Sequence, residues 1–162
     1  MRFIWKLLLV LFIGLTSCSN NVDDVVISKD FTNEEWSRFD YLIGDFDVIK
    51  SPVKYDIVME VAVSDIFPDV YENNQDNSTL SVNLTITNPE DSGRRSRDYN
   101  FNLKDRDGNW KSEKANGYYV FKLPMIDEMT FSEEGTYQFK LENKYSKDPL
   151  DGIKSLTIKC IN

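Results

Sequence analysis

Across most of the chain, apolar and polar residues alternate with a period of two. Tyr55, Ile57, Met59, Val61 and Val63 interleave with Asp56, Val58, Glu60, Ala62 and Ser64, and Leu80, Val82, Leu84 and Ile86 interleave with Ser81, Asn83, Thr85 and Thr87. Shorter runs follow at Tyr99, Phe101 and Leu103, at Tyr119, Phe121 and Leu123, at Tyr137, Phe139 and Leu141, and at Leu156, Ile158 and Cys160. Successive side chains of a strand point to opposite faces, so each run reads as a strand with one face in a core. Phe46 and Val48 open another. Turn residues separate the runs at Asn88 to Gly93, at Asp107-Gly108 and at Asp148 to Gly152. The spacing predicts an all-β fold, an antiparallel β-sandwich of immunoglobulin-like or jelly-roll-like form. Glu133-Glu134-Gly135-Thr136-Tyr137 fits the corner of such sandwiches, where a Tyr hydroxyl at a strand start bonds back to the backbone.

Before Phe46 the pattern changes twice. Thr32, with Glu35 three residues on and Phe31 and Trp36 at the two staple positions, predicts a helix start. Trp36, Phe39 and Ile43 keep helical spacing and Gly44 would end it, giving at most a short N-terminal helix. Earlier still, Arg2 and Lys6 flank the start, Leu7 to Ile13 is unbroken apolar chain, and Gly14-Leu15-Thr16-Ser17-Cys18 follows. A basic start, a short apolar stretch and small residues before a cleavage point describe a secretory signal. The stretch is too short to cross a bilayer, which takes about 20 apolar residues. Leu15-Thr16-Ser17-Cys18 resembles the bacterial lipobox, in which the cysteine thiol accepts a diacylglycerol and becomes the first mature residue. Cys18 is thus the expected lipid-attachment residue. Residues 1–17 read as the signal peptide, 18–29 as the acylated cysteine and a polar tether, and 30–162 as the sandwich domain. With Cys18 carrying lipid, Cys160 has no disulfide partner, and the fold must rest on its core.

Composition then narrows the chemistry. The 162 residues hold 27 acidic and 19 basic side chains, a formal charge of −8, and no histidine. The acidic balance argues against nucleic acid as a partner. Without histidine there is no imidazole acid–base catalysis, no Ser-His-Asp or Cys-His pair and no HExxH zinc site. Asp105-Arg106-Asp107-Gly108-Asn109 brings its glycine too early for a calcium loop and sets a cation among the would-be ligands, so it reads as a hairpin turn. Carboxylates are abundant, but an acid/base pair is defined by separation in space, and no catalytic residue, metal or cofactor is expected.

Two clusters remain as candidate contact sites. Gly93-Arg94-Arg95-Ser96-Arg97 is the one dense basic stretch; it would grip a phosphate or an acidic partner, or serve as a solvated loop offset by Asp91 and Asp98. Trp110 and Tyr118, with Trp36, Tyr119 and Tyr145, would make a stacking platform for sugars, although aromatics at strand spacing more often belong to a core. Arg94, Arg95, Arg97, Trp110 and Tyr118 are therefore the candidate partner or glycan contacts.

Taken in order, these features resemble the GldH-like gliding-motility lipoproteins of the Bacteroidota. The resemblance rests on Trp36, Asp40 and Phe46, the strand from Tyr55 to Val63, Asn83-Leu84, and Gly108-Asn109-Trp110 as a Gly-x-Trp segment. It continues with Phe131, with Gly135-Thr136-Tyr137-Gln138-Phe139 as a Gly-x-Tyr-x-Phe strand, and with Leu150-Asp151-Gly152-Ile153 as a Leu-x-Gly-Ile loop. The chain departs from the family at Val63-Ser64-Asp65 and Lys111-Ser112-Glu113, where an Arg-Asn pair and further glycines are usual. The resemblance implies extended chain, not helix, after Trp36. It also implies a non-catalytic accessory of a cell-envelope machine for gliding or linked protein secretion. Such an accessory would sit at the outer membrane through its lipid, with envelope proteins as partners and no cofactor. The alternative on the same scaffold is a surface lipoprotein with a glycan-binding or adhesion sandwich.

Overall fold

The alternating runs pair into two antiparallel sheets packed face to face. The computed structural model describes residues 23–72 and 75–162. One sheet orders β1 (Asp24–Asp30), β13 (Ile153–Ile161), β4 (Val53–Val63), β10 (Tyr118–Phe131) and the short β9 (Lys114–Ala115). The other orders β3 (Leu42–Val48), β11 (Gly135–Asn143), β7 (Thr79–Thr87) and β8 (Arg94–Asn102). Two small ribbons pair β2 (Glu35–Trp36) with β12 (Leu150–Asp151), and β5 (Val70–Glu72) with β6 (Gln75–Asn77). The predicted antiparallel sandwich is the fold observed.

The inward positions are those the alternation picks out. Ile57, Met59, Val61 and Val63 of β4, Leu80, Val82, Leu84 and Ile86 of β7, and Leu156, Ile158 and Cys160 of β13 are buried. Phe46, Tyr55, Phe131, Tyr137 and Phe139 form an aromatic cluster between the sheets, with Phe131 and Tyr137 edge to face at 4.8 Å. Full burial of one such side chain contributes about 1.5–3 kcal/mol, which is how a domain without a disulfide is held. Burial also pushes the Cys160 thiol up to about 12, leaving it a small apolar core residue. The tyrosine corner is present: the Tyr137 hydroxyl donates to the Glu133 carbonyl at 3.2 Å and accepts from the Glu133 N–H at 3.1 Å.

The expected N-terminal helix does not form. Thr32–Glu34 is a single 3-10 turn, Thr32 does not lie at its cap, and Asn33 and Glu34 adopt φ of 57° and 58°. The chain is extended on both sides of this turn, in β1 and β2; after Trp36, where the family resemblance implied extended chain, residues 37–40 form a turn before β3 begins. Phe31 and Trp36 do touch, at 5.4 Å between rings, but the contact ties the turn to the core rather than stapling a helix. Glu35 and Trp36 pair with Asp151 and Leu150, while Trp36 is fully buried and donates its Nε1–H to the Asp40 carbonyl at 2.8 Å. A helix this short is marginal in water, so ladder pairing and tryptophan burial outweigh a four-residue capping pattern. Phe39 consequently projects into solvent, and Ile43 lies on the outer face of β3.

The sandwich takes in residues ahead of the expected boundary. Asp24–Lys29, read as tether, lie in β1 and pair with β13 from Asp24↔Cys160 to Asp30↔Ser155. Asp23, read as part of a solvated linker, has its carboxylate 3.7 Å from Lys159 Nζ. The alternation signal was weak there because, of the strand's residues, Ile27 alone is buried. Cys18 and the signal peptide expected before it lie outside the described residues.

Gly44, expected to stop a helix, instead sits within β3 where the sheets meet. A Cβ there would come 2.0 Å from the Val26 carbonyl oxygen of β1. This close approach seals one side of the sandwich. The opposite side, between β8 and β10, has no such seal.

Candidate functional site

The open side is built from a strand the alternation did not reveal. Arg94–Asp98, read as part of a loop, is the first half of edge strand β8 and is exposed throughout. It carries no apolar residue to mark a face, so periodicity cannot see it. Its strand conformation comes from its neighbour: β8 pairs with β7 without a register slip from Thr87↔Arg94 to Thr79↔Asn102. On the outer face, polar rungs lock that register. Thr79 Oγ1 donates to Asn102 at 2.9 Å, Ser81 Oγ to Asn100 at 2.6 Å and Asn83 Nδ2 to Asp98 at 2.7 Å, while the Thr85 and Ser96 hydroxyls meet at 2.9 Å.

On the other face Arg95 and Arg97 follow the same parity as Tyr99 and Phe101. Both arginines are exposed, where Tyr99 is buried. The Arg97 guanidinium lies 5.2 Å from the Tyr99 ring centroid, and Tyr99 stacks on Phe101 at 6.0 Å. Burial pushes the Tyr99 hydroxyl up, with Arg97 and Arg95 pulling the other way, and that hydroxyl has no hydrogen-bond partner among the described residues. Arg94, Arg95 and Arg97 form no ion pair among the described residues. Asp98 is engaged by Asn83 across the rung, so the expected offsetting of the cluster by its neighbours does not take the form of ion pairs.

Facing β8 across a groove of about 460 Å³ is the C-terminal half of β10, with Arg94 and Arg95 on one wall and Asp127, Glu128 and Thr130 on the other. This second edge is irregular. It contains Pro124, and its register with β4 slips between Pro124 and Ile126 and again between Ile126 and Met129. Glu128 sits at φ 47°, held there by its N–H donating to Asp56 Oδ1 at 2.8 Å. Proline and bulges of this kind block further strand pairing. β8 has neither. A proline inside an otherwise strand-like run was the one sequence sign that β10 is an edge.

Of the aromatic candidates, Trp110 and Tyr119 come together, while Trp36, Tyr118 and Tyr145 lie elsewhere. Trp110 is bridged to Lys104, stacked on Tyr119 at 4.5 Å and covered by the Lys104 ammonium at 4.6 Å. Lys104 in turn pairs with Asp69 at 2.8 Å, and Lys114 lies over Tyr119 and pairs with Asp65. Tyr118 donates its hydroxyl to Glu34 Oε1 at 2.7 Å, while Ser64 donates to Oε2. These bonds hold the Glu34 carboxyl below its ordinary value. Trp36 is core and Tyr145 packs against it. These rings are engaged with protein groups and do not form one shared exposed face among the described residues.

Asp105–Asn109 is the hairpin turn expected. Asp105 Oδ1 accepts from the N–H groups of Asp107 and Asn109 at 2.9 Å each, and Gly108 takes φ 81°. The Asn109 N–H contributes most to holding the Asp105 carboxyl low. Among the described residues no three metal-ligating side chains gather anywhere.

A small antiparallel β-sandwich, sealed on one side and open along an arginine-bearing edge on the other, is the class this architecture defines. The chain belongs to the GldH lipoprotein family, which it matches over residues 26–160. The match runs from β1 into β13 and so takes in nearly the whole ordered domain. Membership suggests a gliding-motility-associated lipoprotein and implies membrane anchoring. No curated protein matches the chain.

Proposed function

We propose that this protein is a non-catalytic accessory of a cell-envelope machine for gliding motility or the linked protein secretion pathway, held at the outer membrane by lipid on Cys18. The observation that carries the reading is the family match over residues 26–160, beginning eight residues after a lipobox-like cysteine. Two or three acyl chains anchor a protein stably where one does so marginally. Anchoring raises the local concentration of a binding domain beside its membrane partners without any new contact. The open β8 edge supplies a surface for such a partner.

The test combines fractionation with crosslinking in living cells. Cys18→Ala is expected to leave the membrane fraction and to lose the crosslinks to motility or secretion proteins that the unaltered chain makes. Retention of Cys18→Ala in detergent-dependent fractions would refute lipid anchoring. Crosslinks confined to polysaccharide would refute the accessory role.

A further inference from the structure

We propose that the free edge of β8 is a strand-addition site for an extended acidic segment of a partner protein, with Arg95 and Arg97 reading its carboxylates. As the last strand of its sheet, β8 bonds β7 on one side and leaves the backbone N–H and C=O groups of its other side without a strand partner among the described residues. It is nine residues long and free of proline, and its register with β7 is unbroken. The polar rungs on its outer face hold it in that register. These are the properties that permit an added strand to dock by main-chain hydrogen bonds.

Edges of this kind invite nonspecific pairing unless something defends them. β10 is defended by Pro124 and two register slips, whereas β8 is defended by charge alone. Three arginines within four residues repel a second copy of the same edge and any basic strand. They do not repel an acidic one. Arg95 and Arg97 lie two residues apart on one face, so an extended partner with acidic residues at every second position would set its carboxylates beside both. Side chains on adjacent strands stand about 4.5–5.5 Å apart, within reach of an Arg fork. That the three arginines make no ion pair among the described residues of a chain with net charge −8, even with Asp127 and Glu128 on the facing wall of the groove, is the charge complementarity that selects this occupant. Like-charge exclusion then supplies specificity as much as the attraction does.

As an account of how an envelope accessory holds its partner, the inference rests on the function proposed above. Its test is independent of where the protein resides. The purified full chain in detergent is titrated with a nine-residue peptide alternating glutamate and threonine, followed by fluorescence anisotropy and by hydrogen exchange of the β8 amides. Saturable binding with slowed exchange across Arg94–Asn102 is expected. N-methylating the peptide at alternate residues, in both phases, removes its backbone donors while keeping its charge; one phase is expected to abolish binding. The paired substitution Arg95→Glu with Arg97→Glu is expected to weaken binding about tenfold or more, and to admit the lysine–threonine counterpart of the peptide, which shows that the variant remains folded. No saturable binding, binding indifferent to N-methylation in both phases, or binding indifferent to charge reversal would each overturn the proposal, whatever the crosslinking shows.

Discussion

Two buried tyrosines show how differently one side-chain type is used at the two ends of the core. The Tyr137 hydroxyl both donates to and accepts from the Glu133 backbone, closing the corner at the start of β11. The Tyr99 hydroxyl lies buried under Arg97 with no partner among the described residues. A made hydrogen bond contributes about 0.5–1.5 kcal/mol net, whereas a buried unmade one carries a desolvation cost. Tyr137→Phe is therefore expected to destabilise the fold by about 1 kcal/mol, and Tyr99→Phe to be neutral or stabilising. Urea denaturation midpoints of the two variants check this, and equal losses would sink the distinction. The first tyrosine was legible in the sequence because its corner has a local signature. The second was not, because an orphaned hydroxyl depends on what the opposite sheet fails to provide.

Among the elements, the seam between β1 and β3 makes the sharpest demand on sequence. Gly44→Ala would push a methyl into the Val26 carbonyl, a backbone atom that cannot rotate away. Overpacking of this sort costs about 1–3 kcal/mol, and strain at a backbone contact belongs at the upper end. The measurement is the thermal midpoint of Gly44→Ala; an unchanged value would mean the seam is loose. Gly44 also shows where reading the sequence stops. Strands β4, β7, β11 and β13 could be read directly because in each a run of alternating apolar residues turns its side chains into the core. β1 and the first half of β8 could not, since one buries a single residue and the other none. Both are strands by virtue of a neighbour's hydrogen bonds, which no local pattern records. The candidate arginines were legible as a cluster; that they line a free sheet edge was a property of topology.

At the level of the whole molecule, a set of hydrogen-bonded surface carboxylates sets the acid limit. Glu34 is held low by Tyr118 and Ser64, Asp69 by Lys104 and Ser78, Asp65 chiefly by Lys114, and Asp105 by the Asn109 N–H. Each has a folded value below its ordinary one, 4.5 for Glu and 3.8 for Asp. Such groups stabilise fully above the ordinary value and lose that contribution as pH falls through the depressed folded value. The urea midpoint is expected to hold between pH 7 and about 5 and to drop below about 4. A midpoint that rises on acidification would show that relief of self-repulsion at net charge −8 outweighs all four contacts. The pairing of β1 with β13 has a mechanical consequence of its own. With the proposed lipid on Cys18, a tug from the membrane would enter the domain at Asp24 and run along β1, loading its six paired positions with β13 in shear together rather than peeling them singly. On that reading β1 would act as an attachment strap, clipped at mid-length where Gly44 closes on Val26, on which a moving envelope could haul without unravelling what hangs from it.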